Sequence, residues 1–99
     1  MDQKSFEDKI LECVDRGMAL LGESSKQVVY WHLGVLYNMR RIDIPRNPQK
    51  FKKSLESIFG LGASILERAI VTEIRSAFDI PDEVESLEQA IKLAMMENK

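Results

Sequence analysis

Two residue types that often carry catalysis occur once each in this 99-residue chain, as His32 and Cys13. Nucleophilic catalysis needs a base beside the nucleophile, and His32 lies in the apolar run Tyr30-Trp31-His32-Leu33 with no carboxylate within a helical turn on its face. We expect this ring to pack and to hydrogen-bond locally. Cys13 falls among apolar residues at helical spacing, and we expect it in the core with no cation lowering its pKa. The sequence therefore predicts that the protein is not an enzyme.

Carboxylates near the C-terminal end could attract a cation, but their spacing does not match a known site. They lack the Asp and Gly positions of a calcium loop, and they lie where a helix begins and acids favour its dipole. A single cysteine also excludes an intrachain disulfide and a cysteine-rich zinc site. We expect no metal and no cofactor, and a solvated, helix-capping role for Asp82, Glu83, Glu85 and Glu88.

Positive charge is concentrated in the middle of the chain, although the formal net charge of the whole is -2. Residues 24–78 hold nine bases and four acids, and the segments on both sides are acidic. Such a run can contact phosphates or an acidic partner, although charge runs are also common on solvated helix surfaces. Only Asp43 opposes the densest group of bases, which comprises Arg40, Arg41, Arg46, Lys50, Lys52 and Lys53.

The turn Gly60-Leu61-Gly62 resembles that of a helix-hairpin-helix motif, whose backbone amides bind a DNA phosphate at a helix N-terminus. That motif normally has proline where Phe59 stands, often a lysine near Ser64, and a small alanine where Leu66 stands. The simpler interpretation is that Gly60 caps a helix. Nucleic-acid binding is therefore the alternative hypothesis, and it would use Arg40, Arg41, Lys52, Lys53, Gly60, Gly62, Ser64 and Arg68.

Five helices must position these residues, because apolar side chains recur at intervals of three and four and no stretch alternates like a strand. The length suits one hydrophobic core, so we expect a single all-α domain over residues 1–99, a compact bundle of about five short helices. The predicted helices run from about residue 5 to 20, from a cap at Ser24 or Ser25 to Asn38, from Asn47-Pro48 to Gly60, from Gly62 to about Phe78, and from Ser86 onward.

The second predicted helix is apolar almost all the way round. A helix with no polar face must be covered on every side. We therefore expect it to be the central element of the bundle or to be covered by a partner outside the chain.

Nothing in the sequence predicts contact with a membrane. The longest run without a charged residue, between Lys26 and Arg40, is thirteen residues and falls short of the roughly 20 that span a bilayer. Acidic residues throughout the first twenty positions are incompatible with a secretory signal. Together with the lone cysteine, these features predict a cytoplasmic protein.

Several short motifs together resemble a known family. They are Leu21-Gly22, residues 30–33, residues 44–48, residues 58–63 and Leu66-Glu67. Over about residues 20–80 the chain resembles the small archaeal helical domain called the Nitrosopumilus output domain. Its Ile-Pro-x-Asn-Pro loop and Phe-Gly-x-Gly turn are the strongest parts of the match. The resemblance implies a non-enzymatic regulatory or signal-transduction module that contacts a protein partner or a second copy, and it implies no catalytic or cofactor residues.

Overall fold

The computed structural model describes residues 5–97, and within them five α-helices are joined by turns and short 3-10 segments. No strand occurs in this range, so the prediction of an all-α bundle of about five helices is confirmed. The helices are α1 (Phe6–Met18), α2 (Glu23–Tyr37), α3 (Pro48–Phe59), α4 (Ala63–Phe78) and α5 (Leu87–Glu97).

Local capping explains where two of the helices begin. The Ser5 hydroxyl accepts a hydrogen bond from the Asp8 backbone N–H at 3.1 Å, which fixes the start of α1. The Ser86 hydroxyl accepts one from the Gln89 N–H, also at 3.1 Å, as the sequence predicts for α5. Both caps satisfy N–H groups that have no partner inside the helix.

Of the other two predicted N-caps, the one at Ser24 or Ser25 is wrong, whereas Asn47 does occupy the N-cap position of α3. α2 begins at Glu23, directly after Gly22, so Ser24 and Ser25 lie inside its first turn and cap nothing. α3 does begin at Pro48, but the side chain of Asn47 makes no capping hydrogen bond. In both cases the backbone geometry of the turn starts the helix without a side-chain acceptor. The segment Arg41–Arg46, predicted as a loop, is a 3-10 helix.

The centre of the bundle is α4, which packs against α1, α3 and α5. α1 and α4 approach each other closely because residue 17 is a glycine. A β-carbon at Gly17 would lie 2.7 Å from the Cα and 2.8 Å from the backbone nitrogen of Ile70. The prediction that the second helix is central is therefore wrong, because α4 occupies the central position and packs closely against α1.

α5 packs through its buried apolar side chains, and a largely buried carboxylate fixes its start. The Glu67 side chain in α4 is 14% exposed and accepts a hydrogen bond from the backbone N–H of Leu87, the first residue of α5, at 3.0 Å. Arg75 supports the preceding loop by donating from Nη1 to the carbonyls of Asp82 and Val84 at 2.7 and 2.9 Å. The loop therefore has a fixed path although it contains no regular structure.

Candidate functional site

The outer face of α2 is the largest run of exposed apolar side chains on one helix. Only Val29 and Leu33 of this helix are buried. Val28, Trp31 and Val35 are 52%, 63% and 59% exposed, and their spacing of three and four residues places them in one row. We call this row the α2 ridge. Single exposed apolar residues are ordinary, whereas large contiguous apolar patches are typical of interaction surfaces.

An open groove of about 360 Å³ runs beside the ridge, between α2 and the C-terminal end of α3. Its walls are mainly apolar, so it extends the surface that the ridge presents. The groove is lined by Leu21, Ser24, Ser25, Val28, Val29, His32, Ile58 and Phe59.

His32 connects the ridge to this groove. Its ring is half-buried and lies against Trp31, with ring centroids 5.2 Å apart and planes inclined at 57°. The prediction that the ring packs is therefore confirmed. The predicted local hydrogen bonding is wrong for Nδ1, which is buried without a partner among residues 5–97. The histidine supports the indole from one side and leaves it exposed on the other.

Cys13 lies in the core, as predicted, with its side chain fully buried. Its thiol donates to the carbonyl oxygen of Glu73 at 3.7 Å. The expectation of no neighbouring cation is wrong, because Nη2 of Arg16 lies 3.7 Å from the sulfur. Burial nevertheless raises the pKa of the thiol above its ordinary value and outweighs this charge. The arrangement is that of an unreactive core cysteine.

Arg41, a predicted interaction residue, is held by the protein itself. Its guanidinium donates two hydrogen bonds to the carboxylate of Asp15 in α1, the one from Nε being 3.1 Å long. The Tyr30 hydroxyl in α2 donates to the same carboxylate at 2.6 Å. These three side chains tie α1, α2 and the 3-10 helix Arg41–Arg46 together.

Two of the other four bases in the predicted interaction set, Arg40 and Lys52, also face acids of this chain, as does Arg46 of the basic segment. The acidic α1 and the basic 3-10 helix are therefore complementary, and the uneven distribution of charge along the sequence helps the two segments to dock. The pairs, with their shortest N–O distances, are Arg46 with Glu7 at 2.7 Å, Arg40 with Asp43 at 3.5 Å and Lys52 with Glu67 at 3.8 Å.

The glycine turn joins α3 to α4 and acts as a helix cap. Gly60 has φ +59° and ψ -130°, a conformation that glycine adopts readily and that lies outside the left-handed helical region common at helix C-termini. Its N–H donates to the carbonyl of Glu56, and the Ser64 hydroxyl donates to the carbonyl of Leu61 at 3.1 Å. The capping role of Gly60 is confirmed.

The predicted interaction residues do not form one continuous surface. Gly60, Gly62 and Ser64 lie together at the C-terminal end of α3, whereas Arg40 and Arg41 precede its N-terminal end. A helix of 12 residues is about 18 Å long, which separates the two groups. Lys53 and Arg68 are exposed on α3 and α4. Nothing in this arrangement favours the nucleic-acid hypothesis.

Side chains of the kinds that bind metal ions are dispersed over residues 5–97. No three His, Cys, Asp or Glu side chains in this range converge on a point where they could hold a metal ion. None of the helices in the same range combines the length and the apolar character needed to span a bilayer.

The Asp15–Arg41 pair gives a testable dependence of stability on pH. Burial raises the pKa of Asp15, but hydrogen bonds from Arg41 and Tyr30 outweigh it and hold the pKa below its ordinary value of 3.8. A lowered pKa means that this carboxylate stabilises the fold above pH 3.8, and that the contribution is lost as the pH falls through the lower, folded value. Arg41→Ala should lower the free energy of unfolding by about 1 kcal/mol at neutral pH. The stability of this variant should fall less steeply than that of wild type as the pH is lowered.

Urea unfolding of wild type and Arg41→Ala between neutral pH and about pH 2 measures both effects. The control is Arg46→Ala, which removes a more exposed ion pair and should change stability less. An Arg41→Ala protein with the wild-type acid profile would contradict this account of the pair.

None of the ridge residues was among the predicted interaction residues, although the apolar run that contains them was evident in the sequence. The burial pattern assigns them to the outer surface, which a sequence alone does not distinguish from a core face.

Comparison with known proteins identifies a family. The model described as Nitrosopumilus output domain 5 matches residues 8–95. Comparison with curated proteins and with solved structures gives no significant match.

Proposed function

Since this chain belongs to the Nitrosopumilus output domain 5 family, we propose that it is a non-enzymatic regulatory module that acts by contacting another protein. The family name describes an output domain, which fits a module that passes a signal onward. The single observation that carries the proposal is the exposed α2 ridge. The account places the contact at that ridge and at the groove beside it.

The ridge leaves apolar surface in contact with water. Removing apolar surface from water is favourable by about 25 cal/mol per Å², and an exposed tryptophan offers more such surface than any other side chain. Tryptophans in the centre of protein interfaces commonly contribute most of the binding energy. Trp31 lies in the middle of the ridge with His32 supporting its ring, so little conformational freedom is lost when a partner covers it.

The chemistry of the remaining candidates supports a role without catalysis. His32 has an apolar surround, and the only cysteine is buried with a raised pKa. The bases that could mark a phosphate site largely pair with acids of the same chain. Apolar contact is the interaction for which this surface is best suited.

Photocrosslinking from the ridge tests the proposal. A photoreactive aromatic amino acid in place of Trp31 should, on irradiation in cells that naturally make the protein, form a covalent adduct with another polypeptide. The substitution should not unfold the chain, because the Trp31 side chain is 63% exposed. Gel electrophoresis and mass spectrometry identify the adduct.

The matched control carries the same photoreactive residue at Leu61, which is 96% exposed but lies in the glycine turn. We expect the ridge position to give the adduct and the turn position not to give it. Equal adducts from both positions, or none from position 31, would contradict the proposed contact surface. An adduct that a nuclease digests would favour the nucleic-acid hypothesis instead.

A further inference from the structure

Gly34 has no structural reason to be glycine within its own chain. It lies in α2, it is exposed, and its φ is not positive. A β-carbon at this position would come no closer than 4.0 Å to its nearest neighbour, the carbonyl oxygen of Met39. Glycine inside a helix is unfavourable relative to alanine, and one remaining use for it is to let another backbone or a large side chain approach closely.

The missing side chain at Gly34 leaves a notch in the exposed face of α2. A large side chain that could fill this notch in a second copy lies on the same face. Trp31 precedes Gly34 by three residues, so the two are neighbours on the helix surface, one projecting and one recessed. When two copies of α2 lie antiparallel about a two-fold axis close to residue 33, the indole of each copy meets the notch at Gly34 and the adjacent Val35 of the other. A two-fold interface requires such a self-complementary patch.

Charge also favours a second copy over a charged partner. Residues 27–36 of α2 contain no acidic or basic side chain other than His32. The two charged residues at the start of the helix pair with each other, with Lys26 Nζ 3.2 Å from Glu23 Oε1. Two identical faces therefore meet without like-charge repulsion, and the face has no charge pattern that would select an oppositely charged protein.

We propose that the α2 ridge is the interface of a homodimer, with two copies of α2 antiparallel and each Trp31 seated at Gly34 of the other copy. This inference rests on the proposed function and names the partner. A helix of 15 residues is about 22 Å long, so one helix pair covers less than the roughly 800 Å² per partner of a standard interface. The dimer is therefore weak and depends on concentration, as suits a contact that a signal makes and breaks.

Sedimentation equilibrium of the full chain, from about 5 to about 500 µM, tests the association, since a weak dimer forms by mass action across this range. Wild type should change from monomer to dimer. Gly34→Gln fills the notch at an exposed position where the new β-carbon has only ordinary contacts, and it should raise the dissociation constant by at least about tenfold. Because glutamine is the better helix former, the Tm of this variant at the lowest concentration should equal or exceed that of wild type.

The control is Leu61→Gln, which removes an equally apolar exposed side chain from the glycine turn and should leave the dimer intact. A wild type that stays monomeric at the highest concentration overturns the proposal, as does a Gly34→Gln protein that dimerises like wild type. Loss of the dimer in Leu61→Gln also overturns it, because the interface would then lie elsewhere.

Thiol crosslinking tests the orientation independently of Gly34. With the axis near residue 33, the two copies of residue 35 are displaced by about 6 Å along the helices and those of residue 28 by about 15 Å, at 1.5 Å per residue. A direct disulfide is too short for either displacement, so the reagent is a thiol-to-thiol crosslinker with a spacer of about 8 Å, which should join Val35→Cys and not Val28→Cys. Crosslinking of both variants would indicate parallel helices, and crosslinking of neither would exclude close pairing of α2; either overturns the geometry.

Wild type is the background for these variants, because its only cysteine is buried. The outcomes also separate this inference from the proposed function. A monomeric wild type together with a Trp31 photoadduct to a different polypeptide would overturn the homodimer and retain the contact surface. A dimer that does not involve α2 would overturn this inference alone, whereas the absence of any adduct from position 31 would overturn both.

Discussion

Replacing Gly17 by alanine is expected to lower the free energy of unfolding by about 3 kcal/mol, because overpacking typically costs 1–3 kcal/mol and costs more, roughly 4 kcal/mol, where the clash is with backbone. The added methyl group would come within 2.8 Å of three atoms of Ile70, two of them backbone atoms that cannot rotate away. Alanine's better helix propensity, about 1 kcal/mol, offsets only part of this clash. The Tm should fall by roughly 10–20 °C for a domain of this size, as measured by circular dichroism.

The matched control is Gly34→Ala, the same substitution on a helix where the new methyl group has ordinary contacts. At low protein concentration it should raise stability by about 0.5–1 kcal/mol. Opposite signs for the two substitutions would confirm that α1 and α4 are in close backbone contact at residue 17. A Gly17→Ala protein as stable as wild type would show that α4 does not occupy the centre of the bundle in this register.

Removing the Glu67 carboxylate is expected to have the second-largest effect. Glu67→Ala deletes a mostly buried acceptor of the Leu87 N–H and leaves the first turn of α5 without its partner. A hydrogen bond to a charged group contributes about 1.5–3 kcal/mol, so the free energy of unfolding should fall by roughly 2 kcal/mol. Urea unfolding measures this loss, and hydrogen exchange should show α5 amides opening before those of α1 and α4.

Glu67→Gln is the control for charge, because its amide oxygen can still accept from the Leu87 N–H while the ion pair with Lys52 is lost. We expect it to cost less than half as much as the alanine substitution, since that pair is long, at 3.8 Å, and Lys52 is 46% exposed. If the two variants were equally destabilised, the interaction with Lys52 would be the important one and the capping account would be wrong.

Periodicity and breaker residues located the helices because those signals are local. Pro48 fixes the start of α3, and the positive φ of Gly60 fixes its end. The serine caps of α1 and α5 also depend on residues only three positions apart. The start of α2 is set by the backbone path of the turn at Gly22. The serines at positions 24 and 25, which are residue types common at N-caps, therefore predicted its start wrongly.

The arrangement of the helices depended on a contact that the sequence does not encode locally. Gly17 and Ile70 are 53 positions apart, and their close approach makes α4 central and leaves α2 at the edge. The apolar run in α2 indicated a helix that must be covered, but it could not indicate whether the cover is this chain or another. The structure buries Val29 and Leu33 and exposes the ridge.

The role of the basic segment could not be predicted from the sequence either, because its ion-pair partners are distant along the chain. Arg41 and Asp15 are 26 positions apart, and Arg46 and Glu7 are 39 apart, so their pairing depends on the tertiary fold. Counting charges along the sequence left both a solvated face and a surface for an external anion open. In the folded chain, Arg41 and Arg46 of that segment pair with carboxylates of the acidic first helix.

Acrylamide quenching of the intrinsic fluorescence measures whether the α2 ridge is exposed, because Trp31 is the only tryptophan in the chain. At low micromolar concentration the account predicts efficient quenching, close to that of an exposed tryptophan in an unfolded control. Quenching should weaken as the concentration rises and the ridge becomes covered. A tryptophan that is already shielded at the lowest concentration would mean that the chain covers its own second helix, and no free contact surface would remain.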